Sequence, residues 1–111
     1  MGLSAELIAI GPFSGQVVPV LEHDAVRYEG TLPGTRVVSS VLQAGGSSTS
    51  REMAAACGVE AWNFAQHRLD PRFIDLIALE RVGESLGVEG VANTVRVLEE
   101  ARFEFYFLPN G

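Results

Sequence analysis

The residues best suited to chemistry gather in one stretch, residues 57–71, which holds the only Cys (Cys57), the only Trp (Trp62) and one of the two His (His67). A thiol and an imidazole suggest nucleophilic catalysis, which needs the base within hydrogen-bond reach of the thiol and a third group to orient it. Ten residues separated by Gly58 do not fix that geometry. A lone Cys in an Ala-rich helix is more simply a small buried apolar group. Read residue by residue, the stretch is an architectural joint. Gly58 stops one helix, Trp62 and Phe64 fill a corner, and Asp70-Pro71 starts the next helix. If Trp62 or Phe64 is exposed, it becomes an interaction anchor.

A second candidate is Gly-Gly-Ser-Ser-Thr-Ser-Arg at residues 45–51, between an expected strand and an expected helix start. Backbone donors there, with the hydroxyls and one guanidinium, suit a phosphate or carboxylate. Gly46, Ser47, Ser48, Ser50 and Arg51 are the residues that such an anion site uses. The Walker pattern is absent, and the chain has no Lys. A turn followed by a Ser or Thr cap explains the stretch equally simply.

His23-Asp24 and His67 with Asp70 and Asp75 bind metal only if the fold brings them together. No zinc-type spacing is present, so neither a metal nor a cofactor is expected. Glu99 and Glu100 are adjacent on a helix and point apart, as on a solvated face. Residues 51–68 have the outline of a helix-turn-helix. Their second segment, residues 61–69, offers Arg68 as its only fixed positive charge, which is little for a phosphate backbone.

The bounds on the chain agree. One hundred and eleven residues, 47% of them hydrophobic, make a single globular domain over 1–111. The formal charge is -6, from 14 acidic residues against 8 basic ones, all Arg. That balance repels nucleic acid and anionic membranes and attracts a basic partner, such as a toxin. One Cys cannot close an internal disulfide, which suits a reducing cytoplasm. No signal peptide is visible, and no apolar run nears the roughly 20 residues that span a bilayer.

Periodicity then supplies the elements meant to position these groups. Residues 5–11 alternate with apolar side chains on both faces, as in an interior strand. Ser14 can cap a short helix ending near Glu22, with Phe13, Val17 and Leu21 on one face. Residues 23–34 read as a connector, with Pro33-Gly34 at the centre of a type II turn. Residues 36–43 read as a strand whose small Ser39 and Ser40 sit under a helix. Helices follow over 51–57, for a turn or two over 62–69, from Asp70-Pro71 to Gly87, and over 90–102. The third of these places Ile74, Ile77, Ala78, Val82 and Leu86 on its inner stripe. Residues 103–108 switch to period two, with Phe103, Phe105 and Phe107 on one face and Tyr106 and Leu108 on the other.

The expected fold is therefore α+β, an α/β sandwich: a sheet of about three strands near 5–11, 36–43 and 103–108, with four or five helices packed on it. The expected role is a small, acidic, non-enzymatic interaction module, self-associating as a homodimer or bound to a protein partner. Trp62, Phe64 and Tyr106 are its candidate anchors. The alternative is a small-ligand or anion-binding domain using residues 45–51. A helix-turn-helix regulator is the weaker third reading.

Overall fold

The computed structural model describes residues 4–11, 17–22, 25–30, 37–59 and 67–110. In chain order the elements are β1 (Ser4–Gly11), β2 (Val17–Glu22), β3 (Ala25–Gly30), β4 (Val37–Gly45), α1 (Ser47–Ala56), β5 (His67–Leu69), α2 (Leu76–Ser85), α3 (Val91–Glu100) and β6 (Glu104–Asn110). A single 3₁₀ turn, Pro71–Phe73, precedes α2.

β1 organises the rest. Leu7 and Ala9 on one face, and Ile8 and Ile10 on the other, are all buried. A strand apolar on both sides belongs inside a sheet. It pairs antiparallel with β4 and β6, and the short β5 extends the far side of β6, giving the order β4-β1-β6-β5. α1 and α3 pack on this sheet, and α2 packs against both of them. The main core fills the space between. Leu7, Leu42, Phe105 and Phe107 enter from the strands, and Met53, Leu79, Val82, Val91 and Val95 from the helices. Phe105 and Phe107 are fully buried, and each contributes on the order of 2–3 kcal/mol by transfer bookkeeping, an upper figure.

The fold is thus a mixed α+β domain with a small antiparallel sheet and several helices. Among the described residues the counts differ from the sequence expectation: four strands instead of about three in the main sheet, three α-helices instead of four or five, and a separate β2–β3 pair.

Each difference has a physical cause. Residues 17–22 form a strand where a helix was expected, because Val17, Val18 and Val20 are β-branched and fit a pleated strand. Pro19 is tolerated because, among the described residues, β2 pairs with β3 alone, and a strand at a sheet edge can do without one N–H. The expected connector contains β3, which pairs with β2 from Val17↔Gly30 to Glu22↔Ala25. Ser14 and Pro33-Gly34 lie outside the described residues. β4 runs on to Gly45, and α1 begins at Ser47 rather than Arg51. His67–Leu69 is strand, not helix, since β6 offers it an open edge from Phe105 to Phe107. β6 continues through Pro109, opposite Ala5, where β5 no longer flanks it.

A bulge in the β1–β4 ladder also redirects side chains. Leu7 faces Leu42 and Ile8 faces Ser40, leaving Val41 as the extra residue. Val41 and Leu42 both reach the helix-side core. Ser40 therefore does not sit under a helix. Its hydroxyl donates to Glu6 Oε2 at 2.6 Å, where Gln43 Nε2 also donates at 2.8 Å. Further along this far face, Ile8, Ile10 and Tyr106 form a second buried cluster with Leu108 against it.

The helix ends are set by local chemistry. After α1, α2 and α3 the chain enters the left-handed region at Gly58, Gly87 and Arg102 respectively. In each case the next N–H reaches back five residues: Val59 to Ala54 O, Val88 to Gly83 O, Phe103 to Leu98 O. These are Schellman terminations. Gly58 and Gly87 stop their helices as the sequence implies; Arg102 does the same without glycine's freedom.

Candidate functional site

Asp70-Pro71 starts only the 3₁₀ turn. Asp70 accepts the Arg72 N–H at 3.0 Å and Arg72 Nη2 at 2.7 Å. These hydrogen bonds from Arg72 hold the Asp70 carboxyl below the usual carboxylate range. Ile74 is then extended and buried, which breaks the helix. Asp75 caps a fresh start by accepting the Ala78 N–H at 3.0 Å, while its own N–H donates to Ala56 O at 2.7 Å, tying α2 to the end of α1. This second start fixes which side chains of α2 face inward. Leu79 is fully buried, and Ile77, expected on the inner stripe, is 71% exposed. Phe73, on the 3₁₀ turn, is 70% exposed, with the Arg72 guanidinium 5.8 Å from its ring centre.

Three adjoining open grooves surround these side chains. One of about 650 Å³ is lined by Ala55, Gly58, Val59 and Phe73. Ala55 also borders a groove of about 400 Å³ between α1 and α2, lined with Glu52, Asp75, Ala78 and Arg81 among others. Arg81 in turn borders a third, of about 330 Å³, lined by Leu76, Ile77, Glu80, Glu84, Ala92 and Arg96. In that third groove Glu80 has a structural task. Its carboxylate accepts the Gly90 N–H at 2.8 Å and the Ala92 N–H at 3.2 Å, satisfying donors at the start of α3.

The structure does bring Cys57 and His67 to one cleft of about 350 Å³, together with Val59, Leu69, Asp70 and Phe73. Burial pushes the Cys57 thiol up to about 12. It is protonated at neutral pH and is a poor nucleophile there. His67 Nε2 is buried without a hydrogen-bond partner among the described residues, and its ring lies 6.4 Å from that of Phe107. Burial is the cause of the Cys57 shift, and among the described residues nothing at the thiol draws its proton away. Among the described residues, no group of three or more His, Cys, Asp or Glu is placed to hold a metal ion.

The residues singled out for anion binding are placed as follows. Gly46 precedes α1 with φ 88° and provides no side-chain cap. Ser47, Ser48 and Arg51 are exposed. Ser50 is buried and donates its hydroxyl to Ala44 O at 3.3 Å, which ties α1 to β4. Among the expected anchors, Tyr106 is buried in the far-face cluster. Trp62 and Phe64 lie outside the described residues, as does His23. The second helix of the helix-turn-helix outline does not run through His67–Leu69, which form β5.

Periodicity alone missed the surface around Phe73 and Ile77. Its only advance signal was Asp75, a second N-cap five residues after Asp70. No protein-family model, curated protein or solved structure matches the chain. No helix among the described residues is long and apolar enough to cross a membrane.

Proposed function

We propose that this protein is a non-enzymatic protein-interaction module of a reducing, cytoplasmic compartment, and that it binds through the outer surface of its helical layer. The observation carrying this reading is the exposure of Phe73 and Ile77, 70% and 71%, beside open grooves floored by Ala55, Leu76, Ala78 and Ala92. Single exposed apolar residues are ordinary. Large ones beside concave, partly apolar ground are what interface anchors look like. The buried, protonated thiol supports a role outside covalent catalysis and suits a reducing compartment.

Site-specific photo-crosslinking in cells tests the reading. A photoreactive residue at Ile77 should capture a protein, and one at the exposed Asn93 should not. Equal capture at both positions, or none at Ile77, would end it. The alternative, an anion site at residues 46–51, has the uncapped start of α1 as its support. A melting temperature unmoved by inorganic phosphate or nucleotides would remove it.

A further inference from the structure

We draw no further inference here: the strongest candidate, the cleft at the C-terminal end of α1 that Cys57 and His67 line beside β5, rests on a lone cysteine next to a histidine that is itself only partly buried, and nothing else among the described residues lining it points to a ligand.

Discussion

Gly83→Ala is a sensitive probe of the helical layer. A Cβ added at Gly83 would stand 2.6 Å from Val91 Cγ2 and 2.9 Å from the Val88 carbonyl oxygen. Ordinary carbon–carbon contact needs about 3.5–4.0 Å, so α2 and the start of α3 must separate by about 1 Å. Neither neighbour moves cheaply: Val91 is buried, and the Val88 oxygen is backbone. Overpacking of this kind costs about 1–3 kcal/mol. Displacing Val88 also strains its N–H bond to Gly83 O, now 2.9 Å, which is worth about 1 kcal/mol. Against this, alanine gains about 1 kcal/mol of helix propensity in mid-helix. The net expectation is a loss of about 1–3 kcal/mol, or roughly 5–15 °C in Tm for a domain of this size. Urea and thermal melts by circular dichroism measure it. A double-mutant cycle isolates the cause. Val91→Ala alone should cost about 2 kcal/mol, and the double variant should cost about 1 kcal/mol less than the sum of the singles. If Gly83→Ala melts at or above the wild-type temperature, the close approach of α2 to α3 is not what requires glycine there.

Three further expectations concern other parts of the domain. Glu80→Ala should lose about 1–2 kcal/mol by freeing two N–H groups at the start of α3, with Glu80→Gln losing less; chemical denaturation separates the two, and an unchanged midpoint for Glu80→Ala would remove the capping role. Arg102→Gly should gain about 0.5–1 kcal/mol by relieving a non-glycine residue at φ 66°, and a loss in the same assay would mean that the arginine side chain contributes more than its backbone costs. Cys57 is raised from 9.0 to about 12 in the fold, so the folded state holds its proton where the unfolded state releases it. Stability from this group is therefore intact below pH 9 and falls as pH rises from 9 towards 12. Thiol labelling at pH 8 should accordingly track unfolding, and rapid labelling of the native protein would contradict the burial.

Much of the architecture is legible in residue patterns. β1 announces its interior place because Leu7, Ile8, Ala9 and Ile10 leave neither face polar. β6 announces its core face through Phe105 and Phe107. The failures occur where partners decide the outcome. Val17 and Leu21 sit at a spacing that a helix also satisfies, and β2 forms because β3 is there to pair with it. His67–Leu69 becomes a strand only because β6 has an open edge. At α2 two Asp caps compete, and the burial of Ile74 selects Asp75. That choice turns Ile77 outward and Leu79 inward, which is why the exposed surface around Ile77 was hidden from periodicity. The bulge at Val41 is likewise absent from composition, since it depends on the register between β4 and β1.

The placement of β1 between β4 and β6 has a kinetic consequence. Ser4 lies opposite Asn110, so one interior ladder of the sheet joins the two ends of the described chain. The loop that this pairing closes is nearly as long as the domain, and closure costs entropy before any contact repays it. Such long-range pairing makes for slow folding. During synthesis β4 can reach β1 early, but the other edge of β1, with Ile8 and Ile10, must wait until β6 emerges. An apolar strand with an open edge is where chains add to one another. Aggregation of this protein should therefore be most sensitive to the interval before β6 pairs, and the loss of β6 should expose an interior strand.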